Sequence, residues 1–390
     1  MSTEIKFSPE ELARYSRHLI LPEFNIEGQK KLKQAKVLVV GTGGLGAPLL
    51  LYLTAAGVGT IGMVDFDVVD DSNLQRQVLF TREDIGQSKV LAAKKRLEAL
   101  NPYVRFNTYE TALTSENALD IIKDYDVVAD GTDNFPTRYL VNDACVLLGK
   151  VNVYASIYRF EGQATVFNFT NKAGELGPNY RDLFPTPPPP GLVPSCAEGG
   201  VIGVLPGILG SIQASEVIKV ISGVGDTLSG RLFLFDAASF ETRTLKIKRR
   251  KDNPLNGEHP TQTTLIDYQE FCGLNLPDHT AEKKPVKSIN VQQLHQLLQE
   301  KANIQVVDVR ETYEYDIANI QGELMPKSEV TNYIPKISKD KQVVVHCRSG
   351  KRSSDVIELL QDQYGFDNLY NLEGGILAWA KEIDHTMPTY

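Results

Sequence analysis

Cys347 stands between a short run of β-branched residues and a cationic loop that contains a glycine. Residues 343–345, all valine, predict a buried strand, and the apolar periodicity of residues 356–360 predicts a helix after the loop. A thiol at a strand end that faces a helix N-terminus and several cations is stabilised as the thiolate, which is a nucleophile. The loop expected to surround its sulfur consists of Arg348, Ser349, Gly350, Lys351 and Arg352.

The length of this loop indicates what the thiolate carries. Arg352 stands five positions after Cys347, whereas the loop of cysteine phosphatases is one residue longer. A smaller ring of backbone N–H groups suits a sulfur atom carried on the cysteine better than a phosphate. The alternative is a buried, inert cysteine, which is a common state of an unpaired thiol.

A second set of residues forms a glycine-rich turn in the first part of the chain. Gly41, Gly43, Gly44 and Gly46 match the GxGxxG pattern between a predicted strand and a predicted helix. Such glycines let backbone N–H groups approach a pyrophosphate at the helix N-terminus. Asp65 ends the next predicted strand, where an acidic side chain can hold ribose hydroxyls. The pattern alone fits a dinucleotide-dependent dehydrogenase as well as an enzyme that uses ATP.

Further polar residues favour ATP. Arg76 and Lys89 could neutralise phosphate charge, and Asp133 could hold a magnesium ion that bridges phosphate oxygens. A hydride-transfer site has no use for such a set, although each residue taken alone could equally form a surface salt bridge. The full set is Asp67, Ser72, Asn73, Leu74, Gln75, Arg76, Lys89, Asp133 and Asn134.

The composition, with 42% hydrophobic and 23% charged residues, is that of an ordinary globular protein. A net charge of −8 argues against nucleic acid as a partner. The four cysteines are widely spaced and no signal peptide is visible, which predicts a reducing cytoplasm. The uncharged stretch 37–64 is long enough to span a bilayer, but its glycines and proline divide it into shorter elements, so no membrane span is expected.

The elements that must position these residues alternate between strands and helices. We predict strands at residues 36–40, 60–66 and 125–130, a helix after the glycine turn, and a helix over residues 88–100. This alternation predicts a parallel, doubly wound sheet.

Two segments lie outside this alternation. Ser8, followed by Pro9 and Glu11, is a strong helix start, and the helix should run toward Leu19. Residues 172–200 are rich in glycine and proline and should form a long irregular loop, of the kind that often carries function.

A polar, proline-flanked segment divides the chain. We predict an N-terminal domain at residues 1–275, a linker at residues 276–286 and a second α/β domain at residues 287–390. Within the second domain, residues 291–298 predict a helix and residues 305–309 a strand.

Residues 14–273 resemble the ubiquitin-activating superfamily, in particular the adenylyltransferases that activate the sulfur carriers of molybdopterin synthase and of thiamine synthesis. The resemblance rests on the nucleotide residues above and on the segment 194–200, Pro-Ser-Cys-Ala-Glu-Gly-Gly. Residues 288–388 resemble a rhodanese domain. The marks of that domain are the Cys347 loop, the segment 307–311 (Val-Asp-Val-Arg-Glu) and the segment 372–375 (Leu-Glu-Gly-Gly).

The resemblance implies an α/β fold with a Rossmann-like doubly wound sheet and an adenylation site, plus a smaller C-terminal α/β rhodanese domain. It implies ATP and Mg²⁺ as cofactors, with Asp133 holding the magnesium, Asp65 the ribose, and Arg76 and Lys89 the triphosphate. Arg14 would reach the triphosphate of a neighbouring subunit, which implies a homodimer.

The implied activity has two steps. The first domain would adenylate the C-terminal glycine of a small ubiquitin-like sulfur carrier that ends in Gly-Gly. A persulfide on Cys347 would then convert the activated glycine to a thiocarboxylate. Cys196 would resolve an acyl disulfide or first form a thioester, and the sequence leaves both open. The expected catalytic residues are Cys196, Cys347, Asp133 and Arg76.

The resemblance also implies the partners. A cysteine desulfurase or thiosulfate would load Cys347 in the cytoplasm, without a membrane or nucleic acid partner. Carriers of this kind serve molybdenum cofactor, thiamine, tRNA thiolation and cysteine biosynthesis, and the sequence singles out none of these pathways.

The sequence departs from the resemblance at a zinc site. Many family members bind a structural zinc through two CxxC pairs, whose cysteines would fall at Asn179, Asp182, Asn253 and Asn256. Amide and carboxylate oxygens do not replace a thiolate cage, so no zinc is expected. The loops should be held instead by proline stiffness and packing. A second departure is the segment 319–323, Asn-Ile-Gln-Gly-Glu, where rhodaneses usually have His-Ile-x-Gly-Ala.

Two other functions stay open at this point. An NAD(P)-dependent oxidoreductase fused to a thiol domain would bind nicotinamide and would catalyse no carrier-dependent exchange of pyrophosphate with ATP. A non-catalytic scaffold for a ubiquitin-like protein would be expected to lack the magnesium aspartate or the thiols, whereas this chain has Asp133, Cys196 and Cys347.

Overall fold

The computed structural model of the protein describes residues 5–189, 199–273 and 285–390. The chain forms two compact units, Met1–Leu276 and Pro277–Tyr390. Cys196 and most of the predicted linker at residues 276–286 lie outside the described residues, so the linker boundaries stay a prediction.

The N-terminal unit is built on one eight-stranded sheet. Its strands are β1 (Lys36–Val40), β2 (Thr60–Val64), β3 (Arg105–Tyr109), β4 (Val127–Asp130), β5 (Val151–Tyr158), β6 (Glu161–Phe167), β7 (Arg231–Asp236) and β8 (Glu241–Lys246). They lie in the order β3-β2-β1-β4-β5-β6-β7-β8. The strands from β3 to β5 in this order are parallel, and β6, β7 and β8 are antiparallel.

Helices connect the strands of this sheet. They are α1 (Pro9–Arg14), α2 (Ser16–Leu19), α3 (Asn25–Gln34), α4 (Gly46–Ala56), α5 (Lys89–Leu100), α6 (Ala118–Ile122), α7 (Phe135–Leu147), α8 (Tyr180–Leu183), α9 (Leu205–Ser222) and α10 (Tyr268–Phe271). Short 3₁₀ helices occur at Asp71–Asn73 and Arg82–Asp84.

Successive residues of β1 point into different apolar cores. Val37 and Val39 pack with residues of α4 in one cluster, and Leu38 and Val40 pack with residues of α7 in another. A strand that is covered on both faces is apolar along its whole length, as in other parallel sheets. The doubly wound sheet predicted from the alternation of elements is therefore confirmed.

The predicted first helix is interrupted. Ser8 and Glu11 form the expected capping box at the start of α1. Tyr15 then leaves helical geometry (φ −91°, ψ 8°), and α2 begins as a separate helix. The Tyr15 ring packs directly against Gly57, where an added Cβ would come within 2.5 Å of a ring carbon of Tyr15. The Tyr15 hydroxyl accepts a hydrogen bond of 2.9 Å from Nδ2 of Asn101. Burial of this ring sets the break, which periodicity alone did not reveal.

The loop at residues 172–200 is less irregular than predicted. Its described part contains α8, which begins with a capping box formed by Asn179 and Asp182. The uncharged stretch 37–64 forms β1, α4 and β2. Among the described residues, no helix has the length and apolar character that crossing a membrane requires.

The C-terminal unit has a five-stranded, all-parallel sheet in the order β11-β10-β12-β13-β9. Its strands are β9 (Lys287–Ile289), β10 (Ile304–Asp308), β11 (Glu323–Leu324), β12 (Gln342–His346) and β13 (Leu369–Leu372). Its helices are α11 (Val291–Gln299), α12 (Thr312–Ile317), α13 (Lys351–Tyr364) and α14 (Gly375–Glu382), with a 3₁₀ segment at Lys327–Lys336.

The unusual segment 319–323 leads into this sheet, and its last residue begins β11. Gln321 adopts a left-handed conformation (φ 59°), and Glu323 pairs with Val307 at the start of β11. A Cβ on Gly322 would come within 3.1 Å of the Val306 side chain, so the glycine permits close approach to β10.

Candidate functional site

A cleft of about 230 Å³ lies at the carboxyl edge of the large sheet. It opens between the loops after β1 and β4, where the strand order changes direction, which is the position at which open α/β sheets bind ligands. The predicted residues that line it are Gly41, Gly43, Gly44, Asp65, Asp67, Arg76, Lys89, Asp133 and Asn134. The structure thus brings most of the predicted nucleotide residues to one place.

The turn after β1 has room for backbone only. Gly41 has a φ of 87°, and a Cβ there would come within 3.0 Å of the main-chain oxygen of Gly131. A Cβ on Gly46 would lie 2.1 Å from the oxygen of Gly41. Gly46 therefore lets α4 begin directly against the turn, which leaves the helix N-terminus facing the cleft.

The Asp65 carboxylate ties the end of β2 to the glycine turn. Its Oδ2 accepts hydrogen bonds of 2.8 Å from both the N–H and the hydroxyl of Thr42. Its Oδ1 accepts one of 2.9 Å from the N–H of Asp67. The side chain remains partly exposed in the cleft, so it fits the predicted contact with a ribose.

Lys89 is a buried cation of the cleft. It is 5% exposed, and its Nζ contacts Oδ2 of Asp67 at 2.9 Å. The Asp67 side chain itself is 52% exposed, so an incoming phosphate can replace it as the partner of Lys89. Arg76 is half-buried and donates to the main-chain oxygen of Ser72 at 3.1 Å. Asp133 is exposed in the loop after β4.

Other predicted residues have different surroundings. Arg14 is exposed and donates to the main-chain oxygen of Leu100 at 3.0 Å, with its guanidinium over the ring of Tyr103. The Asn134 side chain caps α7 by accepting a hydrogen bond of 3.0 Å from the N–H of Thr137. Some of the residues predicted to bind the nucleotide do not line the cleft. In the described part of the chain, these are Arg14, Gly46, Ser72, Asn73, Leu74 and Gln75.

Sequence analysis missed Arg138, which also lines the cleft, and assigned no role to Gln77, which follows Arg76 and lines it as well. Arg138 is 7% exposed and donates to the main-chain oxygen of Thr132 at 3.1 Å. Gln77 is buried beside Gly43. A signal for Arg138 was present, because it is the one cation in the sequence of α7.

Asp130 lies at the end of β4 and supports the loop that carries Asp133. Its Oδ1 accepts hydrogen bonds from the N–H and the hydroxyl of Thr132, at 2.9 and 2.6 Å. Burial raises the pKa of Asp130, and the hydrogen bonds from Thr132 oppose this only in part. The carboxyl therefore shapes the floor of the cleft.

The thiol of Cys347 sits inside the loop that follows β12. Its Sγ accepts a hydrogen bond of 3.2 Å from the N–H of Gly350, and the hydroxyl oxygen of Ser353 lies 3.4 Å from it. Gly350 has a φ of 96°, and α13 begins at the next residue, Lys351. The N-terminus of α13 thus follows directly on the loop around the sulfur, in the strand–loop–helix order that the sequence predicts.

The two arginines of this loop are held by neighbours. Arg352 donates two hydrogen bonds of 2.7 Å to the carboxylate of Glu314. Burial by itself would raise the pKa of Glu314, but hydrogen bonds from Arg352 and from the N–H of Glu311 outweigh it, and the pKa is lowered. Arg348 donates from Nε to the main-chain oxygen of Tyr390 at 2.6 Å.

Two glycines explain why the segment 372–375 belongs to this site. Gly374 and Gly375 have φ values of 70° and 57°. A Cβ on Gly375 would lie 2.5 Å from the main-chain oxygen of Cys347, and the N–H of Ile376 donates to that oxygen at 2.9 Å. The start of α14 therefore supports the Cys347 loop from behind.

The other cysteines of the described residues, Cys145 and Cys272, are core thiols. Cys145 is fully buried in α7, and burial raises its pKa. Cys272 is buried at the end of α10, and burial raises its pKa to about 11. Neither is a nucleophile near neutral pH.

The four residues that stand where zinc-binding family members have cysteines form a hydrogen-bonded group, here called the Asn/Asp cluster. They are Asn179, Asp182, Asn253 and Asn256. Asn253 Nδ2 donates to Asp182 Oδ1 at 2.7 Å and to Asn179 Oδ1 at 3.2 Å. Asn179 Nδ2 donates to Asn256 Oδ1 at 3.0 Å. Hydrogen bonds between polar side chains therefore join these loops, in addition to the packing and proline stiffness that the sequence predicts.

Two family matches cover most of the chain. Residues 15–256 match the ThiF family, and residues 290–382 match the rhodanese-like domain. The probable adenylyltransferase/sulfurtransferase MoeZ of Mycobacterium tuberculosis (strain ATCC 25618 / H37Rv) is 48% identical over 386 residues, which cover 98% of this chain and 96% of MoeZ.

Further relatives match one or both parts. The sulfur carrier protein adenylyltransferase of Thermus thermophilus is 56% identical over 270 residues, or 69% of this chain and 100% of that protein. The adenylyltransferase and sulfurtransferase MOCS3 of Bos taurus is 43% identical over 407 residues, or 98% of this chain and 88% of MOCS3. The crystal structure of Escherichia coli MccB with ATP shares the fold, with a TM-score of 0.53 and 22% identity over 63% of this chain and 74% of MccB.

The fold and the two sites define a chain that joins a nucleotide cleft of the adenylyltransferase type to a thiol loop of the rhodanese type. The chain belongs to the ThiF family and carries a C-terminal rhodanese-like domain. It is an adenylyltransferase and sulfurtransferase.

Replacing Asn253 by alanine should destabilise the N-terminal unit by about 1–3 kcal/mol, because Asp182 and Asn179 each lose a buried partner. Far-UV circular dichroism during urea unfolding should show an earlier transition for this unit. Trp379 is the only tryptophan and lies in the C-terminal unit, so its fluorescence transition should not move. Replacement of the exposed Asn303 by alanine is the control. An unchanged transition in Asn253→Ala contradicts a stabilising cluster.

The lowered pKa of Glu314 predicts acid sensitivity of the C-terminal unit. Stability from the Glu314–Arg352 pair is present above the ordinary carboxyl pKa of 4.5 and is lost as the pH falls through the lower folded-state value. Glu314→Gln should therefore lower stability near neutral pH by about 1–3 kcal/mol, and the difference from wild type should shrink in acid. Urea unfolding followed by Trp379 fluorescence measures this. Replacement of the exposed Glu329 by glutamine should leave the pH profile unchanged, and an equal deficit of Glu314→Gln at every pH contradicts the assignment.

Proposed function

We propose that this enzyme adenylates the C-terminal glycine of a small ubiquitin-like sulfur carrier and then transfers sulfur to it from Cys347. The observation that carries the proposal is the presence of both sites in one chain: the cleft with Arg76, Lys89 and Asp133, and the thiol held by Gly350. The relative from Thermus thermophilus, whose name gives a sulfur carrier protein as its substrate, supports the choice of acceptor.

In the first step, a carboxylate oxygen of the carrier's terminal glycine attacks the α-phosphorus of ATP, and pyrophosphate leaves. Lys89 and Arg76 stabilise the negative charge of the phosphates. The exposed carboxylate of Asp133 would hold a magnesium ion, which would offset the negative charge of the phosphates. The product is a mixed anhydride, which is a far better electrophile than the carboxylate.

In the second step, the outer sulfur of a persulfide on Cys347 attacks the acyl carbon. AMP leaves with the electron pair of the anhydride bond, and an acyl disulfide forms between the carrier and Cys347. The N–H of Gly350, which donates to Sγ, stabilises the Cys347 thiolate on which the persulfide is loaded. A cysteine desulfurase or thiosulfate supplies the sulfur.

Cys196 completes the cycle in this proposal. Its thiolate attacks the Cys347 sulfur of the acyl disulfide, so that a Cys196–Cys347 disulfide forms and the carrier thiocarboxylate leaves. An external dithiol then reduces the disulfide. In the alternative order, Cys196 first displaces AMP and forms an acyl thioester. Cys196 lies outside the described residues, so its assignment rests on the sequence.

The proposal includes a homodimer in the cytoplasm. Arg14, which is exposed and outside the lining of its own cleft, would serve the cleft of a partner subunit. It also includes the absence of zinc, because the Asn/Asp cluster occupies the four positions with amides and one carboxylate rather than thiolates.

Weighing each candidate carrier after incubation with the enzyme, ATP and thiosulfate tests the function. Wild-type enzyme should produce a carrier heavier by about 16 Da, because sulfur replaces oxygen. Cys347→Ala should stop at the adenylate. Asp133→Ala should lower carrier-dependent exchange of pyrophosphate into ATP by about 100-fold or more, whereas the exposed Asp124→Ala should not.

Three outcomes of this experiment decide between the alternatives. Absence of exchange with every carrier contradicts adenylation and agrees with an oxidoreductase or a scaffold. Thiocarboxylate formation by Cys347→Ala contradicts the transfer step. In Cys196→Ala, a carrier linked to Cys347 should accumulate if Cys196 resolves the acyl disulfide, and its absence favours the thioester order.

Metal analysis of the purified protein by mass spectrometry should find zinc far below one ion per chain. Dialysis against a chelator should also leave the unfolding transition of the N-terminal unit unchanged, because amide hydrogen bonds need no ion. Stoichiometric zinc that the chelator removes together with stability overturns this part of the proposal.

A further inference from the structure

Tyr390 contacts both the Cys347 loop and the buried charges beside it. Its main-chain oxygen accepts a hydrogen bond of 2.6 Å from Nε of Arg348, and its ring centre lies 5.7 Å from the guanidinium carbon of that residue. Its hydroxyl contacts a terminal nitrogen of Arg310 and lies 3.4 Å from Oε1 of Glu314. One residue therefore links the first cation of the loop to the acid that holds Arg352.

Arg310 is a rigid anchor for Tyr390. It is fully buried, and its Nε donates to both carboxylate oxygens of Asp308, at 2.9 and 3.0 Å. Its terminal nitrogens donate to the main-chain oxygens of Glu314 and Ala318, at 3.2 and 2.8 Å. Because Asp308 ends β10, the hydroxyl of Tyr390 is fixed relative to the sheet rather than to the loop alone.

The two arginines of the loop differ in the donors that they still offer. Glu314 engages both terminal nitrogens of Arg352. Arg348 is held through Nε alone, and within residues 5–189, 199–273 and 285–390 its two terminal nitrogens have no hydrogen-bond partner. A guanidinium with both terminal nitrogens available binds an oxyanion with two parallel hydrogen bonds. Of the two arginines, Arg348 is thus the one suited to an anionic ligand.

We propose that Tyr390 is a positioning residue that aims the guanidinium of Arg348 at the oxyanion of a sulfur donor of the thiosulfate class. This inference rests on the sulfur-transfer step of the proposed function and names the donor that the site is built to recognise. An arginine side chain that is free to rotate loses several rotamers when it binds a ligand. Holding Nε and stacking the guanidinium against a ring removes that cost before the donor arrives.

The loading step shows what Arg348 would contact. The Cys347 thiolate attacks the outer sulfur of thiosulfate, a new S–S bond forms, and the S–S bond of thiosulfate breaks. Sulfite leaves with the bonding electron pair, and the persulfide stays on Cys347. The three oxygens of thiosulfate become the oxygens of sulfite, so an arginine that binds them serves both the donor and the leaving group.

Steady-state assays of the full chain test this assignment, with thiosulfate as the donor and cyanide as the acceptor. Tyr390→Ala keeps the main-chain oxygen but removes the ring against Arg348 and the hydroxyl that anchors the residue to Arg310, so the guanidinium is no longer held in one direction. KM for thiosulfate should rise about tenfold, as when the donor loses one charge-assisted hydrogen bond, and kcat should change by less than about twofold. Tyr390→Phe keeps the ring but loses the hydroxyl anchor, so its KM should lie between those of wild type and Tyr390→Ala. A KM for Tyr390→Ala equal to that of wild type overturns the proposal.

A double-mutant cycle with Arg348→Ala separates positioning from general support of the fold. If Tyr390 acts through Arg348, adding Tyr390→Ala to Arg348→Ala should raise KM no further. Additive effects of the two changes, or a joint loss of kcat and of the Trp379 unfolding transition in Tyr390→Ala, would mean that Tyr390 merely supports the fold.

Alkylation of Cys347 provides a readout that needs no sulfur transfer. The anionic reagent iodoacetate and the neutral reagent iodoacetamide react with the same thiol, and peptide mass spectrometry gives the rate at Cys347 for each. The ratio of the two rates should fall about tenfold in Tyr390→Ala and in Arg348→Ala, because the anion loses its binding site. An unchanged ratio overturns the proposal. Failure to detect a persulfide on wild-type Cys347 would instead refute the transfer step of the proposed function, whatever the ratio.

Discussion

Both sites depend on one constraint, which is that a strand buried on both faces can present polar groups only where it ends. β1, β4 and β12 are apolar along almost their whole length and are covered on both sides. Their backbone groups are engaged in the sheet ladders, so unpaired N–H groups occur only in the loops that follow. The loop at Gly41, the loop at Asp133 and the loop at Cys347 all follow such ends, and the reactive chemistry of each unit is confined to them.

Each site also contains a cation that a carboxylate holds in the absence of substrate, but the two pairs differ in a way that matters for chemistry. Lys89 is buried while its partner Asp67 is half exposed, so the pair can open toward a phosphate without leaving a carboxylate in an apolar environment. Arg352 and Glu314 are both largely buried and share two hydrogen bonds. Opening that pair would strand a buried charge, which makes it a fixed brace of the loop.

Much of the fold and of the nucleotide cleft could be predicted because the relevant signals are local. The GxGxxG turn, the acid at the end of β2 and the cysteine loop each lie within a few residues of a recognisable strand. The predictions that needed correction concern contacts between distant segments. The break at Tyr15 depends on Gly57 and Asn101.

The sequence by itself determined the chemistry of this protein, because residue types at fixed spacing around Gly41, Asp133 and Cys347 limit what each loop can do. Only the tertiary structure decided which side chains meet across the chain. Asn179 and Asn253 are 74 residues apart and share a hydrogen bond at positions where many family members have zinc-binding cysteines. Tyr390 reaches Arg348 from 42 residues away and fixes its direction. Such pairings arise from the packing of whole elements, which leaves no periodic trace in the sequence of either segment.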